Sequence, residues 1–244
     1  SIIKTRIMIR IGDLMETIGI IFAMNEELSA LKKYFMIDKI SKIYELTFYE
    51  VNLTGKRIIL VESGVGKVNA GRTTQILIDN YKPDAIYNIG VAGGIDKSLE
   101  VGDVIISTSL VQHDFDITAF DHKKGYIPNI GDIIPVDRAL VMNSIEVLEK
   151  KRLPYKLGCI ASGDIFCTDT NMANKINQKF KALGVEMEGA AIGQVCFLCQ
   201  VPCLVLRSIS DCPNNHNRIT YDEFLPKACE NIAKIMYEIL TFKD

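Results

Sequence analysis

The chain has 244 residues, 48% apolar and 24% charged, with a formal net charge of -2. That fits one α/β domain with a large core; the near-neutral balance, without a basic block, argues against a nucleic-acid binder working through phosphates, and no apolar run reaches the roughly 18 residues of a membrane span. Seven scattered cysteines favour thiols in a reducing compartment, the cytoplasm, over a disulfide framework.

Residues 1–16, SIIKTRIMIRIGDLME, mix Lys4, Arg6 and Arg10 into apolar positions. They lack the continuous apolar block of a secretory signal and read as an extension ahead of one domain, 17–244, with an amphipathic targeting peptide as the minor alternative. TIGIIF (17–22) is a compact buried strand. NEELSALKKYF (25–35) has helical spacing, with Leu28, Leu31 and Phe35 on one face and Asn25 as N-cap. LTFYEVNLTGKRIILVES reads as two strands joined at Thr54-Gly55-Lys56. GKVNAGRTTQILIDNY is a helix, DAIYNIG (84–90) a strand ending in glycines, and VGDVIISTSLVQHD another strand. Residues 115–135, rich in Asp, Gly and Pro, form the longest irregular segment, of the kind that serves as a lid or interface. VDRALVMNSIEVLEKK is a helix capped by Asp137 or the residues before it. KLGCIASGD, GVEME and CLVLRSIS are strands with helical stretches between them, and a last helix covers about 221–242. This alternation predicts one domain, a mainly parallel sheet flanked by helices, with its site at the carboxyl ends of strands.

Several of those strand ends carry an acid, a serine or glycines: FAMNEE, ESGVGK, NIGVAGG, ASGDIF, GVEMEG and RSISDC. Glycines admit a ligand close to the backbone, and acids at parallel strand ends converge on one rim, so Glu27, Glu188 and Asp211 are candidates for one acidic pocket. Each has a structural alternative: a first-turn helix acid for Glu27, turn chemistry for Asp211, and capping plus a buried ion pair for the Glu186/Glu188 pair. An extended 185–188 puts both glutamates on one face, and a helix starting near Glu188 favours its ionised form. Arg207, inside an apolar strand, needs an acidic partner. Cys196, Cys199 and Cys203 read as a buried helix end rather than a metal set, since no histidine or fourth thiol completes them. GVGKVN fails as a phosphate loop because no Ser or Thr follows Lys67. His113, His122 and His216 are isolated.

IGIIFAMNEEL, SGVGKVNAG, NIGVAGG, VGDVIIS, HDFDITAF, SGDIFC, GVEMEGAAIGQVC and RSISD followed by YDEFL, in that order, resemble the bacterial 5'-methylthioadenosine/S-adenosylhomocysteine nucleosidases from about Thr17 to the C-terminus. The resemblance implies a nucleoside-phosphorylase-like fold, a single α/β domain with a mixed, partly closed, twisted central sheet flanked by helices. It also implies a homodimer, no metal or organic cofactor, and a small adenine nucleoside as substrate. Residue by residue, Glu27 matches the acid that activates water and Asp211 the acid that protonates the purine. Glu188 matches the acid on the ribose hydroxyls, beside Met187, which packs on the sugar. Phe166 matches the ring stacked on adenine and Cys167 the backbone that reads the base edge. Ala92 and Gly93 of NIGVAGG, and Arg207 and Ser210 of RSISD, fall among the substrate-binding positions. Met24, Val65, Ile117 and Tyr221 fall in the alkylthio pocket, with Phe120 and Pro128 supplied to it by the partner subunit. Val91 stands where the family often has serine, Phe22 where it has a small residue, and Cys167 where it has a larger apolar one. Glu186 is expected to support Glu188 from behind.

The implied reaction is hydrolysis of the N-glycosidic bond, releasing adenine in methionine salvage and the activated methyl cycle. It builds positive charge on the sugar, as in glycoside hydrolysis. The alternatives are a phosphorylase of the same fold, a hydrolase for another purine nucleoside such as futalosine, and a non-catalytic adenine-nucleoside sensor.

Overall fold

The computed structural model describes residues 16–213 and 217–242, leaving aside the side chains of 217–219. The expected extension, apart from Glu16, and His216 lie outside the described residues. The elements run β1 (Glu16–Phe22), α1 (Asn25–Lys32), β2 (Lys39–Ile43), β3 (Leu46–Leu53), β4 (Lys56–Glu62), α2 (Lys67–Tyr81), β5 (Ala85–Gly94) and β6 (Val104–Gln112). They continue through β7 (Ile134–Pro135), α3 (Arg138–Lys150), β8 (Lys156–Ser162), α4 (Thr170–Phe180), β9 (Ala182–Glu186), α5 (Gly189–Cys199), β10 (Cys203–Asp211) and α6 (Asn217–Thr241).

The strands form one mixed sheet rather than the mainly parallel one that the alternation suggests. β1 pairs in parallel with β4 and β5, and β5 with β10. β10 meets β6 antiparallel, and β6, β8 and β9 run parallel. β9 then returns antiparallel to β5 through Gly93↔Val185 and Gly94↔Gly184, closing a ring of five strands. That closing contact needs small residues: a Cβ on Gly184 would sit 3.0 Å from Ile105 Cδ1 and 3.5 Å from the Gly93 carbonyl. Outside the ring, β4, β3 and β2 extend the sheet as antiparallel hairpins. Thr54 (φ 49°) and Gly55 (φ 82°) make the β3–β4 turn, with the paired positive φ that matches strand twist in a two-residue hairpin.

Both faces of β1 are covered, which is why it reads as an unbroken apolar run. Ile18, Ile20 and Phe22 pack toward α1, α3 and α6, with Leu31, Leu148 and Met236. Ile21 faces α2 and α5, with Leu77 and Ile192. Each such side chain contributes roughly 1.5–3 kcal/mol by leaving water. Helix α2 approaches β1 closely enough that a Cβ on Gly19 would lie 2.7 Å from Leu77 Cδ2.

Two local expectations are revised. Met24, not Asn25, occupies the N-cap of α1, because Glu27 reaches back to the N-terminal amides and Asn25 is drawn into the first turn, accepting from the Ser29 hydroxyl at 3.3 Å. Helix α1 stops at Lys32, with Phe35 beyond it packed on Tyr237. Asp137 caps α3 as expected, accepting from the Leu140 amide at 2.9 Å. Cys196 and Cys203 are buried in the α2–α5 core cluster, while Cys199 at the helix end points to Gln75 Oε1.

Candidate active site

The carboxyl ends of β1, β5, β9 and β10 surround a cavity of about 630 Å³. Glu27, Glu188 and Asp211 all line it, brought together from α1, the start of α5 and the end of β10. All three are buried.

Glu27 is held at both oxygens. Oε2 accepts from the Ala23 and Met24 amides at 2.9 and 3.1 Å, and Oε1 from the Val91 amide at 3.0 Å. The bond to Val91 depends on Gly90: a Cβ there would overlap Oε1 and come within 2.9 Å of Cδ. Burial pushes the Glu27 carboxyl up, and the Arg207 charge and these amides pull against that rise. A base fixed this way is well oriented.

The Glu186/Glu188 pair divides its work differently from the expected helix-dipole effect on Glu188. Glu188 sits at the N-cap of α5 but does not cap it with its side chain. Glu186 Oε2 takes the helix-start amides of Glu188 and Gly189, at 3.2 and 2.7 Å. Glu186 also accepts from the Ser162 hydroxyl and the Arg207 guanidinium. The structural alternative, capping plus a buried ion pair, therefore describes Glu186, although both glutamates line the cavity. One Glu188 oxygen accepts the Gly66 amide at 3.0 Å, and the other lies 3.9 Å from Arg207. Gly66 has φ 101°, a conformation that glycine tolerates.

Burial, and then the Glu186 charge, push the Glu188 carboxyl up to about 8, against the pull of Arg207 and the Gly66 amide. The folded protein thus keeps a proton that an unfolded carboxyl, near 4.5, has already released. Stability must fall as pH rises between those two values. The melting temperature followed from about pH 5 to about 8.5 is expected to drop, and Glu188→Gln to flatten that drop. Glu27, raised in the same direction, leaves a residual slope. Equal slopes in parent and variant would contradict the assignment.

Asp211 is buried at the rim, with the Ser210 hydroxyl donating to Oδ1 at 2.8 Å. Ala92 and Gly93 line the wall beside it, with Phe166 and Met187. The Phe166 ring meets Tyr221 edge-on at 5.4 Å, and Met24 and Val65 line the same cavity.

Five expected site residues do not line this cavity. Arg207 is buried behind the acids, donating to Glu186, Asn88 and the Leu206 carbonyl. It acts on the pocket by its charge, because β10 turns its side chain to the far side of the carboxylates. Ile117 caps a short 3-10 turn, 118–120, in the irregular segment, on the same turn as Phe120. Phe120 is 76% exposed and Pro128 is also exposed. Cys167 faces a small side recess with Phe166 and Asp211, its thiol directed at the Asp169 carbonyl. Conversely, Thr168, Val185 and Asp222 line the cavity without having been singled out. They adjoin Cys167, Glu186 and Tyr221 within the quoted motifs, which was the available signal. Val91, the departure from serine, lines the cavity with an apolar side chain while its amide serves Glu27.

Three buried acids around one cavity at strand ends accompany a match of residues 17–241 to the family model described as "Phosphorylase superfamily". A Staphylococcus carnosus 5'-methylthioadenosine/S-adenosylhomocysteine nucleosidase is 40% identical over 225 residues, 91% of this chain and 98% of its own. The Helicobacter pylori enzyme of that name, crystallised with butyl-thio-DADMe-Immucillin-A, superposes with a TM-score of 0.90 at 35% identity, covering 93% of this chain and 98% of its own. A futalosine hydrolase from Helicobacter pylori superposes equally, TM-score 0.90 at 35% identity over 92% of this chain and 97% of its own. The chain belongs to the phosphorylase superfamily and, within it, to the family of the 5'-methylthioadenosine/S-adenosylhomocysteine nucleosidases.

Proposed function

We infer that this protein hydrolyses the N-glycosidic bond of 5'-methylthioadenosine and S-adenosylhomocysteine, and of 5'-deoxyadenosine, releasing adenine and the 5'-substituted ribose. The observation that carries this is the convergence of three buried carboxylates, Glu27, Glu188 and Asp211, on one cavity of nucleoside size. Adenine is stacked on Phe166, and Asp211 gives its proton to the leaving base at N7. Glu188 holds the 2'- and 3'-hydroxyls and, as positive charge grows on the sugar, is drawn toward its ionised form. Glu27, aimed by three amides, removes a proton from the water that attacks C1'. Each positioned acid or base contributes roughly 10²–10⁴-fold.

Phosphate as the nucleophile is disfavoured by the same residues. It needs cationic or amide donors, yet no lysine or arginine lines the cavity among the described residues, and the Val91, Ala23 and Met24 amides are taken by Glu27. Adenine release from methylthioadenosine is expected in phosphate-free buffer, read by chromatography. Strict dependence on added phosphate would overturn hydrolysis. The likeness to a futalosine hydrolase keeps a second purine nucleoside in view, so futalosine belongs in the same panel.

The alkylthio end is completed, in this proposal, by a second copy of the chain. Phe120 and Pro128 stand exposed on the irregular segment, available to a partner's cavity in a homodimer, and Ile117 travels on the same turn. Among the described residues no helix is long and apolar enough to cross a membrane. The thiol-rich composition supports a cytoplasmic setting for an enzyme of methionine salvage and the activated methyl cycle.

A further inference from the structure

The cavity wall contains one polar contact that the reaction does not use. The Tyr221 hydroxyl, on α6, donates to Met24 Sδ at 3.3 Å, across 197 positions of sequence. Both residues line the cavity. Met24 is anchored on the nucleophile side, its amide bonded to Glu27, and Tyr221 on the base side, against the edge of Phe166. The contact therefore bridges two walls that come from opposite ends of the chain.

In the roles that the family resemblance implies, this bridge faces the group on C5'. Asp211 and Phe166 take the base, Glu188 takes the 2',3' edge of the sugar, and Glu27 takes the attacked carbon. The apolar remainder of the wall, Met24, Val65 and Tyr221, is left for the group on C5'. A methyl, methylthio or unsubstituted 5' carbon fits beneath a closed bridge. A longer chain ending in an amino acid extends beyond this wall, and a path between the two side chains would separate hydroxyl from sulfur. Burial and the nearby Glu27 charge hold the Tyr221 hydroxyl in its protonated, donating form.

We propose that the Tyr221–Met24 bridge is a specificity latch that favours short, uncharged 5' substituents over the homocysteinyl chain. This rests on the nucleoside hydrolase assignment above and adds to it an order among its substrates. The latch pairs a phenol with a thioether; phenylalanine at 221 or leucine at 24 would keep the wall and lose the bond.

The test measures kcat/KM by adenine release from methylthioadenosine and from S-adenosylhomocysteine, for the parent, Tyr221→Phe, Met24→Leu and the double variant. Both swaps nearly conserve volume. The ratio of the two kcat/KM values, methylthioadenosine over S-adenosylhomocysteine, is expected to fall about threefold to tenfold in each single variant, the rate equivalent of one neutral hydrogen bond. The double variant should fall no further, because either change removes the same contact. A ratio within about twofold of the parent, a rise in the ratio, or a double variant that multiplies two independent effects overturns the latch. If the parent releases adenine from neither nucleoside, the hydrolase assignment itself fails, and that outcome is separate from an unchanged ratio.

Discussion

Glu27→Gln is expected to bind methylthioadenosine nearly as the parent does and to lose about 10²–10⁴-fold in kcat. Glutamine keeps the size of the side chain and an oxygen for the Ala23, Met24 or Val91 amides, but it cannot take a proton from water. Its NH2 would also face at least one of those donors, so some loss of order around Val91 is expected beside the loss of the base. Asp211→Asn is expected to fall in the same range, since the amide cannot protonate the leaving adenine while Ser210 still has an oxygen to bond. Turnover by adenine release, together with Kd by calorimetry, separates the two effects. Parent-level turnover in both variants would place catalysis on residues other than Glu27 and Asp211.

The largest expected effect on stability belongs to Arg207→Met, at about 3–5 kcal/mol. Arg207 is 1% exposed and shares its guanidinium between Glu186 and Asn88, with Glu188 at 3.9 Å. It is the buried cation that the acids share, and it also opposes the rise of the Glu27 and Glu188 carboxyls. Methionine fills similar space and leaves Glu186 a buried carboxylate compensated, among the described residues, by one hydroxyl and two amides. Urea unfolding measures the loss. Arg207→Lys should recover part of it, because lysine restores the charge without the two-pronged geometry. A loss below about 1 kcal/mol would mean that the amides of α5 suffice to hold Glu186.

Much of this architecture can be read along the chain. Strands buried on both faces, such as β1, β5 and β10, announce themselves as apolar runs, and Thr54-Gly55 marks its hairpin. β2 was not anticipated because KISKI, at the sheet edge, is mostly exposed and has no apolar face to show. Closure of the five-stranded ring depends on two residue pairs between β5 and β9, a long-range event that leaves no period in the sequence. The strand-end acids were legible as candidates because apolar runs seldom end in carboxylates without a partner or a task. The division of labour between Glu186 and Glu188 was not, since it turns on which carboxylate reaches the amides of α5. The displacement of Arg207 from cavity wall to supporting charge has the same origin: a strand residue's facing is set by register, and register is set by neighbours far away in sequence. The roles expected of Phe166, Met187 and Tyr221 come from family resemblance alone.

The most direct test is a crystal structure of Glu27→Gln soaked with methylthioadenosine. One nucleoside is expected in the 630 Å³ cavity, its ribose hydroxyls on Glu188, its N7 within hydrogen-bond reach of Asp211, and a water between residue 27 and C1'. A nucleoside bound at another place, or one whose C1' lies beyond reach of both Asp211 and residue 27, would contradict catalysis by these three acids.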